Sequence, residues 1–238
     1  MFFPFLMSIK DKDVVLEIGP GAYPHWRSDC LVDKFGPDSN VDISQFGGAP
    51  QKTLGKPLFK MIDNIIPFKD KSFDYTICSH VLEHVNHDQL DLFLSEITRV
   101  TEKAYIELPR PIYDFIYDFD THLNLMDIVD GVVICLPKTK TSLNKVKRFT
   151  KYALELRKLN NFSIELLNSS VIAIGQEFEG TIPLRIYDDE EEFFSALPTA
   201  PKLTKRPTVL WRCNDRIRRI KYHFSHNIGK TYFEGYLK

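Results

Sequence analysis

The feature that most constrains the fold is the run Val14-Val15-Leu16-Glu17-Ile18, halted by Gly19-Pro20-Gly21. A short apolar, β-branched stretch ended by two glycines reads as a buried strand entering a tight loop. Similar segments follow. Cys30-Leu31-Val32-Asp33 makes a second strand ending in an acid, Leu58 to Ile62 a third that runs into Asp63, and Phe73 to Cys78 a fourth. Between Asp88 and Val100 the apolar positions Leu90, Leu92, Phe93, Leu94, Ile97 and Val100 recur at roughly helical spacing, with Asp88 as the expected N-cap. Ala104 to Leu108 is a fifth strand, closed by Pro109. Short buried strands alternating with helices or loops predict an α/β fold built on a parallel sheet with helices on both faces.

Beyond Pro109 the pattern changes. Leu123 to Val129, Asp130-Gly131 and Val132 to Leu136 read as a hairpin, because Asp-Gly suits its left-handed turn. A basic amphipathic helix is expected over 142–159, strands at Ser170–Ile174 and Gly180–Tyr187, and a short helix from the acidic run Asp188 to Glu192. Pro198, Pro201 and Pro207 mark a linker before a cationic helix over 211–221. The expected organisation is one domain over 1–200, with a cofactor-binding core at about 13–110 and a substrate-covering elaboration at about 111–200, then a basic segment over 201–238.

Ligands of open parallel sheets bind beyond the carboxyl ends of the strands. The residues there are Gly19-Pro20-Gly21, Asp33, Asp63-Asn64 and Ser79-His80. Glycines admit a ligand close to the backbone, and acids at the next two strand ends accept hydrogen bonds from a ribose diol and an exocyclic amine. This ordered series is the footprint of a nucleoside-bearing cofactor. A dinucleotide is disfavoured because Pro24 stands at the third glycine position, and no Gly-Lys-Ser/Thr follows the glycines for a Walker loop. Glu17 points instead to a ligand with a cationic part.

Val14-Leu16-Glu17-Ile18-Gly19-Pro20-Gly21 resembles the first motif of class I S-adenosylmethionine-dependent methyltransferases. The run from Ile66 to Tyr75, continuing through Ser79-His80-Val81-Leu82-Glu83-His84-Val85, is similar to the "LPF-D-SFD … LEHV" block of their small-molecule branch. Glu96 to Val100 and Tyr105 to Pro109 are similar to that branch's later helix and fifth strand, so the resemblance covers about 13–110. It implies a Rossmann-like fold with S-adenosylmethionine as cofactor. Glu17, Gly19 and Gly21 would hold the methionine part, Asp33 the ribose, Asp63 with Asn64 the adenine side, and Ser79 and His80 the far side. The stretch between Gly21 and Asp33 is shorter and richer in proline than the family's, which leaves a full first helix open. A similar bacterial subgroup carries a His after strand five, here His122.

The expected reaction is methyl transfer to oxygen or nitrogen of a small-molecule or glycan-type acceptor. His80, Glu83, His84 and His87 stand at i, i+3, i+4 and i+7, the spacing of one helical stripe. His84 is the first candidate base and His122 the second; the competing reading makes His84 a structural part of its turn. No metal is expected, since HExxH is absent and no Cys lies beside the stripe. Tyr113, Phe115, Tyr117 and Phe119 alternate with other residues, as in a strand or packed loop, or as the wall of an acceptor pocket.

Charge divides the chain. Totals of 31 basic and 32 acidic residues hide 10 basic against 2 acidic over 201–238. That segment would suit RNA, an anionic surface or docking against the acidic body; DNA is not expected. Two other readings therefore stand: a silent cofactor-binding scaffold, and an RNA or protein methyltransferase that recruits through the basic segment. Cys30, Cys78, Cys135 and Cys213 form no CxxC, and the apolar opening of seven residues is too short for a signal peptide or a span. A cytoplasmic protein is expected, with Phe2, Phe3 and Phe5 covering part of the core.

Overall fold

The structure is a computed structural model of the 238-residue chain and describes residues 3–36, 50–117, 119–141, 172–199, 207–225 and 228–238. The described residues form nine strands: β1 (Val15–Ile18), β2 (Cys30–Asp33), β3 (Leu58–Lys60), β4 (Phe73–Ser79), β5 (Thr101–Pro109), β6 (Asn124–Val129), β7 (Val132–Pro137), β8 (Ala173–Glu179) and β9 (Leu184–Ile186). Six make one sheet in the order β3-β2-β1-β4-β5-β8, parallel except for β8, which pairs antiparallel to β5. β1 and β2 are buried at every position. Continuous apolar runs are what strands covered on both faces require. The strand order reverses at β1, which lies between β2 and β4, so a crevice opens beyond the carboxyl ends of β1 and β4.

Five α-helices are described: α1 (Leu90–Val100), α2 (Pro111–Tyr117), α3 (Glu190–Ala196), α4 (Val209–Ser225) and α5 (Lys230–Glu234). α1 buries Phe93, Leu94, Ile97 and Val100 against the sheet. It does not start at Asp88. A 3-10 turn, His87–Gln89, leads into it, and the bond from Leu90 N–H to the His87 carbonyl already uses a donor that a cap would serve. No helix lies between β1 and β2, where the chain makes only turns.

β6 and β7 form the expected hairpin, with Asp130 and Gly131 both left-handed (φ 49° and 80°), and β9 joins β7 in parallel. The strand expected at Ser170–Ile174 instead begins at Ala173 and runs to Glu179. Its polar centre, Gly175-Gln176-Glu177, is only partly buried, as an edge position allows, so hydrophobicity alone hid it. β9 is shorter than the run expected over 180–187. The helix expected over 142–159 and most of the proline linker lie outside the described residues.

One core cluster joins α1, Phe68, Phe73 and Phe233 on one face of the sheet; a second joins Phe3, Ile9, Val15, Tyr75 and Tyr105. Phe233, on α5, stacks on Phe73 at 5.9 Å, and Leu237 bridges to Phe68. α4 lies against the turns between β1 and β2. Tyr222 Oη donates to the Ser28 carbonyl and to the Asp29 carboxylate, and Arg218 pairs with Asp11 at 2.9 Å. Arg212, Arg216 and Lys221 remain exposed. Among the described residues no helix is long and apolar enough to cross a membrane.

Candidate functional site

β1 ends where Gly19 turns the chain at φ 63°, a conformation that suits a residue without Cβ. A Cβ there would also stand 2.5 Å from Val81 Cγ2. Two cavities flank this turn and share Gly19, Gly21, His80 and His84.

The first, of about 300 Å³, is lined by Gly19, Gly21, Asp33, Met61 and Asn64 among others. Asp33 is buried at the end of β2, and its carboxylate accepts the Phe35 N–H at 3.1 Å and a Gln51 amide N–H at 2.9 Å. Burial pushes its pKa up and those bonds hold it back. Asn64 donates to Gln89 at 2.7 Å along the cavity wall. Asp63, read from sequence as the partner of an exocyclic amine, lies exposed and outside the linings of both cavities. Asp63 and Asn64 are both left-handed (φ 50° and 61°), and this turn brings the Asn to the cavity rather than the Asp.

The second cavity, of about 650 Å³, takes in Glu17, Ser79, Glu83, Tyr113, Phe119 and His122. Glu17 accepts from the Ser28 hydroxyl and from the His25 N–H at 2.8 Å, and burial raises its pKa above the usual carboxylate value. Burial, aided by Lys56 and Arg219, lowers His25 to about 3, so that ring stays neutral. Under the floor, the buried Glu107 carboxylate accepts from Ser79 Oγ at 3.0 Å, from Tyr105 Oη at 2.7 Å and from Phe3 N–H at 3.0 Å, with His80 Nε2 at 3.2 Å. Burial pulls His80 down, but Glu107 and Glu83 outweigh it and hold the ring at about 9. Burial pushes Glu107 up, and His80 outweighs that to hold it at about 2.

The helical stripe expected from the spacing of His80, Glu83, His84 and His87 does not form. His80 is left-handed (φ 57°), and two separate 3-10 turns, Leu82–His84 and His87–Gln89, replace a helix. His80, Glu83 and His84 still converge, while His87 lines neither cavity. His122 joins them: the His84 and His122 rings meet edge to face at 4.8 Å. His84 Nδ1 lies 2.7 Å from the Thr121 carbonyl, and His122 Nδ1 lies 3.0 Å from both oxygens of Asp114. Each acceptor holds a proton on Nδ1 and so orients the ring. Burial lowers the His84 pKa despite the pull of Glu83.

Asp114 was not singled out from sequence. It sits on α2, buried, and also takes Lys138 at 3.2 Å. Its only signal is an acid inside an aromatic run that precedes a His. That run is helical rather than extended, so Tyr113 and Tyr117 share a face, and Tyr113 and Phe119 wall the cavity beside His122.

Residues 51–104 match a family model described as a methyltransferase domain. No curated protein sequence matches the chain. Among solved structures, S-adenosylmethionine-dependent methyltransferases align from Thermotoga maritima (16% identity, 42% of this chain and 45% of that one, TM-score 0.30), Aquifex aeolicus (17%, 42% and 57%, TM-score 0.29) and Mesorhizobium loti (13%, 52% and 56%, TM-score 0.31). The chain spans about half the length of these structures.

Proposed function

Taking as premise that this chain carries the class I S-adenosylmethionine-dependent methyltransferase scaffold, and with it that scaffold's cofactor, we propose that it moves a methyl group to an oxygen or nitrogen of a small-molecule or glycan-type acceptor. The observation that carries this reading is the pair of cavities joined across Gly19, Gly21, His80 and His84. The residues present fit the cofactor: a bare backbone at Gly19 that a Cβ would obstruct, a buried carboxylate at Asp33 for hydroxyls, and Glu17 for an ammonium. When bound, S-adenosylmethionine supplies a methyl group on sulfur that is already activated for in-line displacement.

The protein's part is therefore mostly alignment. Asp33 and Glu17 fix the two ends of the donor, and the turn at Gly19 lets it lie against β1. Tyr113 and Phe119 give the acceptor an apolar wall. His84 and His122 turn their Nε2 atoms to the acceptor side and act on its proton, Asp114 positioning His122 and the Thr121 carbonyl positioning His84. Three of the four free cysteines are buried, and we place the protein in the cytoplasm.

Calorimetry with S-adenosylhomocysteine tests the donor side: binding by the wild type, weakened at least about tenfold by Asp33→Ala through the lost charged hydrogen bonds, is expected. No binding, or undiminished binding by the variant, refutes it. Transfer of labelled methyl to a component of a metabolite or oligosaccharide extract tests the acceptor side.

A further inference from the structure

We infer that His84 and His122 act on the acceptor through a divalent transition-metal ion, held by Nε2 of each ring and by the carboxylate of Glu83. The three residues offer ligand atoms that all lie within 4.8 Å of one another. Three independent features of the site point to a cation.

The first is the state of the two rings. A metal-bound imidazole commonly donates its other N–H to a carbonyl or a carboxylate, which fixes the tautomer and aims the lone pair. His84 has this arrangement with the Thr121 carbonyl and His122 with Asp114, which leaves Nε2 of each ring as the atom to bind an ion, and ligand atoms of the two rings lie within 4.8 Å of each other.

The second is Glu83. It is fully buried, and its carboxylate is only loosely paired: the charged His80 ring is its ionic partner, and no donor stands in good hydrogen-bond geometry to either oxygen among the described residues. The nearest nitrogens are His80 Nδ1 at 3.5 Å and His84 Nε2 at 3.9 Å. Placing an ionised carboxylate out of water without full pairing is costly, and coordination is one of the few ways to offset it. The distance to His84 is too long for a hydrogen bond but matches two ligands of one ion before it draws them in; bonds of about 2.1 Å in tetrahedral geometry bring ligand atoms to about 3.4 Å of one another.

The third is access. Glu83, His84 and His122 all line the larger cavity, where the aromatic rings of Tyr113 and Phe119 also form part of the wall. An ion held by three protein groups there keeps an open position toward the acceptor, as a catalytic rather than a structural site does. Two imidazoles and one carboxylate suit a first-row transition ion better than magnesium or calcium. His80, whose Nδ1 stands 3.5 Å from Glu83 Oε1 and which is anchored on Glu107, positions the carboxylate.

The role of the ion rests on the methyltransferase reading. An acceptor hydroxyl bound at the open position has a weakened O–H bond. Its proton passes to water at the cavity mouth, its oxygen forms the new bond to the methyl carbon, and the carbon–sulfur bond of the sulfonium donor breaks to leave a neutral thioether. Ion binding itself does not depend on that reading. The sequence showed no local metal motif because His122 arrives from a segment far from His84.

The test is titration of the purified, chelator-treated full chain with Co²⁺, followed by visible absorption and, with Zn²⁺, by calorimetry. One equivalent with a ligand-field spectrum is expected, and His122→Ala and Glu83→Gln should each abolish the spectrum. Asp114→Asn, which touches no ion, should weaken affinity about 10–100-fold, as loss of an outer partner does. Circular dichroism of each variant establishes that it is folded; Asp114→Asn keeps the test decisive if His122→Ala does not fold. Absence of binding by the wild type, or the same spectrum in folded His122→Ala, overturns the site. Wild type that binds S-adenosylhomocysteine but no cobalt refutes the ion alone, whereas wild type that binds cobalt but not S-adenosylhomocysteine supports the ion and refutes the cofactor reading.

Discussion

Replacing Glu107 by glutamine changes one atom's chemistry at the point where the sheet, the chain's first residues and the candidate site meet. The carboxylate is wholly buried, and each of its oxygens faces two donors: Oε1 has Ser79 Oγ and His80 Nε2, and Oε2 has Phe3 N–H and Tyr105 Oη. An amide must put NH₂ in place of one oxygen, so in either orientation one fixed donor, the charged His80 ring or the Phe3 N–H, meets another donor, while the hydroxyl beside it can turn to accept. The remaining two contacts lose their charge. Hydrogen bonds to charged groups contribute about 1.5–3 kcal/mol each, and breaking a buried pair from one side costs about 3–5 kcal/mol. Glu107→Gln should therefore destabilise the fold by about 3–5 kcal/mol, a large share of the 5–15 kcal/mol typical of a domain. Urea unfolding at neutral pH, followed by circular dichroism, measures the change in midpoint at constant slope. Hydrogen exchange should also show the Phe3 amide losing its protection. A loss below about 1 kcal/mol would mean that Glu107 is not the ionised hub that its four donors imply.

Three further outcomes follow from the same geometry. Gly19→Ala places a Cβ against Val81 in a left-handed conformation, so it should cost about 1–3 kcal/mol and weaken S-adenosylhomocysteine at least tenfold, read by thermal unfolding and calorimetry. Because burial raises the Glu17 pKa, its carboxylate gains a proton at a pH above the ordinary 4.5. S-adenosylhomocysteine affinity should then fall on acidification at a higher pH than an exposed carboxylate would allow, and Glu17→Gln should remove that slope. Arg110 pairs with buried Asp127 at 2.6 Å, so Arg110→Met should cost about 3–5 kcal/mol by chemical denaturation, with much of it recovered when Asp127→Leu is added.

The parallel sheet was legible because each of its first five strands is short, apolar and punctuated by Gly, an acid or Pro, and the Asp130-Gly131 hairpin because its turn needs left-handed residues. β8 was misplaced because an edge strand tolerates a polar centre, and pairing rather than hydrophobicity fixes its register. At the site, Gly19, Gly21 and Asp33 come to one edge because they stand at or just past the carboxyl ends of β1 and β2. Asp63 does not, since two left-handed residues redirect the chain within a single turn. The Glu83, His84 and His122 cluster is only partly visible in the sequence: the helical spacing of the first two corresponds to no helix, and Asp114 carries no periodic signal at all. Residues that meet through tertiary structure leave no spacing to count.

The stacking of Phe233 on Phe73 has a consequence for the order in which the protein is made. The glycine turn, the strand-end acids and the LEH turn are all synthesised within the first half of the chain. The aromatic that covers β4 on that face arrives more than a hundred residues later. On the ribosome the surface around Phe68 and Phe73 is therefore covered by α1 but not by Phe233 for much of that interval, a partly exposed state prone to association between nascent chains. The cavities are thus framed well before Phe233 joins the cluster beneath them.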